Sequence, residues 1–310
     1  MRVVFAGTPE PALASLEALL GSAHEVVAVV TRPDAPSGRG RGLRPSPVGL
    51  RAAELGIEVL KPGRPRDPTF VERLGELAPD SCPVVAYGAL IPQHVLDIPP
   101  HGWVNLHFSL LPAWRGAAPV QHAILAGDEQ TGASTFQLVA ELDAGPVYAT
   151  VVERIGPTDT SGDLLARLSQ SGARLLVDTL NGIDDGSLMP QPQPSEGVTF
   201  APKITVADAR IDWAASAVTI DRLVRGCNPA PGAWTTFRRE RFKINSARLT
   251  DSVLPAGRLE IAKRSVRVGT GSSAIELVDV QAEGKKPMRA ADWARGISFA
   301  DGEMLDIHGS

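Results

Sequence analysis

Cysteine is scarce in this chain. Only Cys82 and Cys227 occur among the 310 residues, far apart and without the short spacing of metal ligands. A structural zinc site needs four ligands, so the cysteine count excludes one built from thiolates. Two isolated thiols are typical of a protein from a reducing compartment.

Long apolar runs are also missing. No stretch reaches the roughly 18–20 consecutive apolar residues that a helix needs to cross a bilayer. The first five residues, Met-Arg-Val-Val-Phe, predict a strand rather than a signal peptide. With 43% hydrophobic and 21% charged residues, the composition is that of ordinary globular proteins. We therefore expect a soluble cytoplasmic protein without a membrane partner.

A dinucleotide-binding fingerprint is absent as well. The turn after the first predicted strand reads Gly-Thr-Pro-Glu-Pro at residues 7–11, which does not match G-x-G-x-x-G. Pro9 and Pro11 also lack the backbone N–H groups that a pyrophosphate would bind. This turn therefore excludes a nucleotide cofactor and favours a plain strand-to-helix connection.

The net charge of −4 is unevenly distributed along the chain. Residues 207–310 contain 16 Lys and Arg against 13 Asp and Glu, a net charge of +3, so the remainder carries −7. A mildly basic C-terminal part fits a polyanionic partner. Scattered surface charge explains the same counts, and charge alone favours that simpler interpretation.

The length favours two domains. In the first half, apolar runs typical of strands alternate with amphipathic runs typical of helices. The predicted strands are 2–6, 25–31, 57–60, 84–87 and 103–106, and the predicted helices are 12–20, 47–55, 67–77, 93–96 and 117–126. This alternation predicts an α/β fold with a parallel, doubly wound, Rossmann-like sheet. Ligands of such folds bind at the carboxyl ends of the strands.

A second, smaller domain is predicted after a linker. A helix at 161–180 closes the first domain, and the Gly-, Pro- and Ser-rich residues that follow predict an extended connection. Five short strands are predicted at 234–237, 241–248, 257–262, 265–269 and 274–280. They favour a small C-terminal OB-like β-barrel. The predicted boundaries are a catalytic domain at 1–182, a linker at 183–206 and the barrel domain at 207–310.

Three polar residues stand out at predicted strand ends. Asn105 and His107 are two residues apart in a strand, so their side chains face the same side. Asp143 follows a second strand-like run at 132–139. An amide that binds an oxyanion, an imidazole that moves protons and a carboxylate that orients the imidazole would form an acyl-transfer site. Taken singly, each has a structural explanation: Asn105 as a turn former, His107 as a buried histidine and Asp143 as a cap.

The stretch 34–47 is rich in proline, glycine and arginine. Its prolines and glycines predict an absence of regular structure, and Arg39, Arg41 and Arg44 make it positively charged. A flexible arginine loop suits a phosphate backbone or a single-stranded nucleic-acid end. A solvated surface loop is the commoner outcome for this composition.

Three motifs together resemble those of a known family. The strings N-L-H-F-S-L-L-P at 105–112, W-R-G-A-A-P at 114–119 and L-D-A-G at 142–145 are similar to those of the 10-formyltetrahydrofolate-dependent formyltransferases. The resemblance covers nearly the whole chain, and the arginine loop is similar to that of members whose acceptor is methionyl initiator tRNA. Two positions depart from the family pattern: Pro11 stands where an aromatic residue is usual, and Ala144 where threonine is common.

The resemblance implies a reaction and its residues. Asn105, His107 and Asp143 would be catalytic, 10-formyltetrahydrofolate would be the donor, tetrahydrofolate would be its product, and no metal would be required. The residues implied for folate binding are Val84, Tyr87, Gly88, Leu90, Ser109, Leu110, Leu111 and Pro112. Those implied for tRNA binding are Arg39, Arg41, Arg44, Arg115, Lys203, Arg239, Lys285 and Lys286, with Arg39 as the key arginine of the loop.

Two other functions stay open on the sequence. A folate-dependent formyltransferase could act on a small amine such as an amino sugar nucleotide, although a small acceptor does not need the arginine loop. A tRNA-binding protein with an inactive crevice is the second alternative, although such a crevice need not keep Asn105, His107 and Asp143 together. We expect a monomeric enzyme of translation initiation.

Overall fold

A computed structural model describes residues 1–37 and 42–306. The chain divides into two compact units. The first unit takes Met1–Pro119, Gln130–Arg154 and Leu165–Ala201, and the second takes Val120–Glu129, Ile155–Leu164 and the described chain from Pro202 onward. Much of the predicted linker therefore lies within the first unit. The domain boundaries at 182 and 206 stay a prediction.

The strands follow the predicted pattern closely in the first half. In chain order they are β1 (Arg2–Gly7), β2 (Glu25–Val30), β3 (Ala35–Ser37), β4 (Gly42–Arg44), β5 (Glu58–Leu60), β6 (Cys82–Val85), β7 (Trp103–His107), β8 (Arg115–Gly116), β9 (Gln130–Gln137), β10 (Val147–Arg154) and β11 (Phe200–Ala201). In the second half they are β12 (Trp234–Phe237), β13 (Glu240–Leu249), β14 (Leu259–Ile261), β15 (Val266–Val268), β16 (Ile275–Ala282) and β17 (Met288–Arg289).

The first six helices lie where the sequence predicted them, and two more follow in the second half. After a short 3₁₀ turn they are α1 (Leu13–Leu20), α2 (Pro47–Glu54), α3 (Pro68–Leu77), α4 (Gln93–Leu96), α5 (Pro119–Ala126), α6 (Ser161–Asp184), α7 (Ala217–Gly226) and α8 (Ala290–Arg295). The prediction ended α6 four residues too early. α3 shows the underlying pattern, because Phe70, Leu74 and Leu77 recur at helical spacing and are buried.

One prediction about the arginine loop is wrong. The stretch 34–47 contains regular structure at both ends, since β3 pairs antiparallel with β4 and places Pro36 opposite Leu43. A two-stranded ladder has an open edge on each strand, where a proline without an N–H group is tolerated. Arg39 and Arg41 lie outside the described residues.

The large sheet of the first unit is mixed rather than purely parallel. Its order is β10-β9-β7-β6-β1-β2-β5. The five strands from β7 to β5 are parallel, as predicted, but β9 pairs antiparallel with β7, and β10 with β9. His107 at the end of β7 lies opposite Ser134 near the middle of β9. β9 therefore begins beyond the carboxyl end of β7 and runs toward its amino end.

The strand order reverses beside β1. The chain proceeds from β1 to β2 and β5 on one side, and then places β6 and β7 on the other. Gly7 at the end of β1 pairs with Val85 at the end of β6, so these two carboxyl ends are neighbours. Such a switch point leaves a crevice outside the strand ends. The prediction of a doubly wound, Rossmann-like sheet is thus confirmed. The prediction that all its strands are parallel is corrected by β9 and β10, which pair antiparallel.

The second unit contains an antiparallel sheet of order β12-β13-β16-β15-β14, with β17 beside β16. All five strands predicted for the barrel are present, and the half-barrel they form agrees with the predicted small barrel. Its core is aromatic: Trp213 is fully buried, and Phe242 packs 4.4 Å from Trp293 between ring centroids. Trp234 is half-buried beneath the guanidinium of Arg241, at 4.6 Å.

Across the described ranges, 1–37 and 42–306, the helices are all too short or too polar to cross a membrane.

The core of the first unit reaches directly behind the candidate site. Leu106 on β7 is 2% exposed, and a Cβ atom added to Gly172 of α6 would lie 3.0 Å from its Cδ2. We expect Leu106→Ala to lower the free energy of unfolding by about 2–5 kcal/mol, because it removes buried methyl groups and leaves a cavity. The measurement is urea unfolding of the purified protein. Leu50→Ala, at a leucine that is 51% exposed, is the matched control; an equal loss in both variants would contradict the packing.

Candidate active site

A crevice of about 450 Å³ opens at the carboxyl ends of β6 and β7. Four of the residues predicted to bind folate line it: Val84, Tyr87, Gly88 and Leu90. Further lining that the prediction did not name individually comes from Ile91, Leu96, Phe108, Gly116, Ala117 and Pro119. The loop before Asp143, residues 138–142, completes the wall. Most of these side chains are apolar, which suits a flat ring system with a few polar contacts.

Asn105 and His107 both line this crevice, as their spacing in the sequence predicted. β7 holds them, and the alternation of a strand turns both side chains to one side. Val104 and Leu106, the alternate residues, are buried. Asn105 is half-buried, and His107 is 6% exposed. An amide donor and an imidazole thus lie side by side at the strand end.

Fixed partners surround the imidazole of His107. Its Nε2 lies 2.8 Å from the carbonyl oxygen of Trp114. Its Nδ1 lies 3.8 Å from Oδ2 of Asp143, and the two side chains are only 7% and 11% exposed. Phe136 meets the ring edge-on, at 6.4 Å between centroids. The carbonyl can only accept a hydrogen bond, so it assigns a proton to Nε2.

Asp143 does not directly follow a strand end at the carboxyl edge of the sheet. A loop brings it to the site. β9 finishes with Gln137 opposite Val104, and residues 138–146 then return toward His107. The backbone N–H of Gly116 donates a hydrogen bond of 2.8 Å to Oδ2 of Asp143. Asp143 itself has φ of +47°, a left-handed conformation that few residues other than glycine adopt.

Gly116 occupies a position that only glycine can fill. Its φ is +129°, and a Cβ atom there would lie 2.6 Å from the carbonyl oxygen of Ala201. The reason is the pairing of β8 with β11, which brings the two backbones together in parallel. The predicted linker thus contributes a strand to the wall behind the candidate site.

The other four predicted folate residues lie elsewhere. Residues 109–112 are not among those that line the crevice, within the described part of the chain. The hydroxyl of Ser109 is buried and donates to the carbonyl of Ala113, and Ser134 donates to the carbonyl of Ser109. Leu111 and Pro112 are joined by a cis peptide bond. These contacts shape the turn that leads to Trp114, and a part in folate binding stays a prediction.

A glutamine that the sequence analysis missed contacts this region. Gln193 donates from Nε2 to the carbonyl oxygens of Asp143 and Gly145, both at 2.8 Å. Its Oε1 accepts from Nε and Nη2 of Arg115, at 3.1 and 2.8 Å. It lies in the predicted linker, where neither a motif nor hydrophobic periodicity distinguishes it from its neighbours.

The residues predicted to bind tRNA are distributed over both units. Arg44 is exposed on β4 in the first unit, whereas Arg115 is 8% exposed and bonded to Gln193. In the second unit, Lys203, Arg239, Lys285 and Lys286 are all exposed. Their roles stay predictions.

Both thiols are unsuited to nucleophilic catalysis. Burial raises the pKa of Cys82 well above its ordinary value. Burial is also the main reason that the pKa of Cys227 rises to about 11, with a smaller contribution from Asp208. Neither thiol therefore forms a thiolate near neutral pH. In residues 1–37 and 42–306, no three His, Cys, Asp or Glu side chains form a group that could hold a metal ion.

Similarity to known proteins agrees with this geometry. Residues 1–180 match the formyl transferase family, and residues 203–298 match the formyl transferase C-terminal domain. The chain is 67% identical over 308 residues to the methionyl-tRNA formyltransferase of Streptomyces coelicolor, which covers 98% of this chain and 99% of that protein.

Two solved structures share the fold at lower identity. HypX from Aquifex aeolicus, solved in complex with tetrahydrofolic acid, has a TM-score of 0.64 and 18% identity over 94% of this chain and 46% of its own. WlaRD, a sugar 3N-formyl transferase, has a TM-score of 0.68 and 15% identity over 92% of this chain and 99% of its own. At these identities the likeness concerns the fold alone. The family matches and the full-length identity of 67% show that this chain belongs to the formyl transferase family, among the methionyl-tRNA formyltransferases.

Proposed function

We propose that this protein transfers the formyl group of 10-formyltetrahydrofolate to the α-amine of methionine on initiator tRNA, for translation initiation. The observation that carries this proposal is the convergence of Asn105, His107 and Asp143 on one crevice. Full-length similarity to a methionyl-tRNA formyltransferase supports the choice of acceptor.

Asn105 is suited to stabilise the oxyanion. The neutral amine attacks the formyl carbon, the C=O double bond opens, and a tetrahedral intermediate with a negatively charged oxygen forms. The side-chain amide of Asn105 donates a hydrogen bond to that oxygen from the crevice wall. A preorganised donor of this kind contributes about 3–4 kcal/mol to transition-state stabilisation.

His107 is suited to protonate the leaving nitrogen. The Trp114 carbonyl accepts the hydrogen bond from Nε2, and the Asp143 carboxylate lies 3.8 Å from Nδ1. The proposed mechanism uses the cationic ring, which carries a proton on each of these nitrogens. The proton on Nε2 is committed to Trp114, so the proton on Nδ1 is the transferable one. It passes to N10 of the folate as the bond between carbon and N10 breaks. Until then the imidazolium also helps to stabilise the oxyanion.

Asp143 completes the proton transfer. The attacking amine loses one proton and N10 gains one, so the reaction needs a relay and consumes no external acid. Asp143 and His107 together provide that relay, and the carboxylate stabilises the positive charge of the imidazolium. Its Oδ2 is held by Gly116 and lies 3.8 Å from Nδ1 of His107. No metal enters this scheme, because the formyl group on N10 is already activated.

The volume and the apolar lining of the crevice support folate as the donor. Val84, Ile91, Leu96 and Leu138 provide apolar walls of a space of about 450 Å³. We place the pterin inward and the formyl group beside Asn105. Tetrahydrofolate then leaves by the same opening.

The second unit adds positive charge that fits an RNA backbone. Besides the four predicted residues, a hollow of about 400 Å³ is lined by five cationic side chains and two carboxylates, Glu276 and Asp292. The cationic residues are Arg248, Lys263, Arg264, Arg289 and Arg295. Phosphate contacts of this kind strengthen binding without reading sequence. The protein would act as a cytoplasmic monomer, with initiator tRNA and folate as its partners.

The acceptor is tested by formyl transfer to methionyl-tRNA, measured with initiator and elongator tRNA in parallel. We expect transfer to the initiator and little or none to the elongator. If neither tRNA is formylated while tetrahydrofolate still binds, the alternative of a small amine acceptor gains support. An amino sugar nucleotide is then the next acceptor to assay.

Replacing the oxyanion donor tests the chemistry. We expect Asn105→Ala to lower kcat for formyl transfer by about 10²–10³-fold, because the developing negative charge loses its amide donor. The thermal unfolding midpoint should stay close to that of the unchanged protein. Asn181→Ala, at an exposed asparagine on α6, is the control and should retain full activity. A normal kcat in Asn105→Ala would remove Asn105 from the mechanism.

Replacing the loop arginine tests tRNA recognition. We expect Arg39→Ala to raise KM for initiator tRNA by roughly tenfold or more, because a charge-assisted contact to phosphate is lost. KM for the folate donor should not change. Arg174→Ala, at an exposed arginine on α6, serves as the control for charge loss alone. Parallel increases in both KM values would instead indicate a collapsed loop.

A further inference from the structure

The position of Asp143 is not determined by its own loop alone. The residue has φ of +47°, in the left-handed region, which costs Asp less than most other non-glycine residues but is still sparsely populated. Its carboxylate has one backbone donor, Gly116. The backbone of the loop also needs support near Asp143. The loop starts at the amino edge of the sheet, where β9 ends, and must return to His107 at the carboxyl edge.

Gln193 provides that second support. Its amide group bridges two carbonyls of the loop, those of Asp143 and Gly145, with hydrogen bonds of 2.8 Å each. Carbonyls accept and guanidinium groups donate, so the partners on both ends assign the orientation of the amide. Every donor and the acceptor oxygen of the Gln193 side chain is thereby used.

Arg115 fixes Gln193 from the other side. Its guanidinium donates twice to Oε1 of Gln193 and lies 3.7 Å from the carboxylate of Glu141, a residue of the same loop. The Arg115 side chain is 10% exposed. Its neighbours in sequence, Trp114 and Gly116, are the partners of His107 and Asp143. The three consecutive residues 114–116 therefore contact the imidazole, the glutamine and the carboxylate.

We infer that Gln193, held by Arg115, is a positioning residue for formyl transfer, which acts by fixing the backbone of Asp143 so that its carboxylate faces His107. The inference rests on the proposed function and adds a residue to it. It also assigns Arg115 to the support of the site in place of the tRNA contact implied by the resemblance. A shift of about 1 Å in a reacting constellation costs on the order of 100-fold in rate.

The first test replaces the donors and keeps the length. Gln193→Glu retains an acceptor for Arg115 but presents a carboxylate to the two loop carbonyls. We expect kcat for formyl transfer to initiator methionyl-tRNA to fall by roughly 10–100-fold, and Gln193→Ala to fall comparably. KM for tRNA should stay within about twofold. Full activity of Gln193→Glu would overturn the inference.

The second test asks whether Gln193 acts through Asp143. In an Asp143→Asn background, adding Gln193→Ala should change kcat by less than about twofold, because the group being positioned has already lost its function. A general structural role would lower kcat by the same factor in both backgrounds. Equal factors would therefore overturn the inference, even if each single variant is impaired.

Gln191→Ala is the matched control. Gln191 belongs to the same segment, and its side chain is exposed. It pairs with Val147 through backbone hydrogen bonds, which an alanine also makes. It should retain the activity of the unchanged protein. The unchanged protein separates the proposed function from the role of Gln193. If the unchanged protein formylates no methionyl-tRNA, the proposed function fails. If it is active and the Gln193 variants are equally active, only the inference about Gln193 is overturned.

Discussion

The hydrogen bonds made by residues 114–116 are the constraint on which the site depends. The carbonyl of Trp114 accepts a hydrogen bond from Nε2 of His107, and the N–H of Gly116 donates one to the carboxylate of Asp143, each at 2.8 Å. Because the carbonyl and the N–H belong to the backbone, their positions do not depend on the rotamer of any side chain in this segment. The imidazole and the carboxylate are thus fixed by a segment that carries neither of them.

This arrangement explains how a loop without regular structure can hold the carboxylate of Asp143 in place. Loops position residues poorly unless neighbouring elements constrain them. Here the 138–146 loop is bonded at its carboxylate by Gly116 and at its carbonyls by Gln193. The hydrogen bonds from Arg115 to Gln193 join these two supports. The pairing of β8 with β11 requires a glycine at 116. The position of the loop is therefore fixed by Gly116 and Gln193, residues that lie far from it in the sequence.

The same long-range character limits what the sequence could predict. Asn105 and His107 were found because the period of a strand is local and places alternate residues together. Asp143 was predicted to follow a strand at the carboxyl edge, yet its strand is antiparallel and the loop brings it back. Local patterns do not report strand direction. Gln193 acts through contacts 48 and 50 residues away, and no periodic or turn signal marks such a residue.

The crevice is large enough for part of the formyl donor but not for a whole tRNA, so recognition of a tRNA acceptor must involve residues outside it. A space of about 450 Å³ lined by apolar groups can hold part of a folate. The roles that we propose for Asn105 and His107 would apply to any amine that reaches the formyl carbon. The crevice alone therefore cannot choose between a tRNA and a small acceptor, and the same fold serves a sugar formyltransferase. Selection must depend on charge outside the crevice. The arginine loop and the basic surface of the second unit are the features of this chain that a polyanionic acceptor would need and a small amine would not.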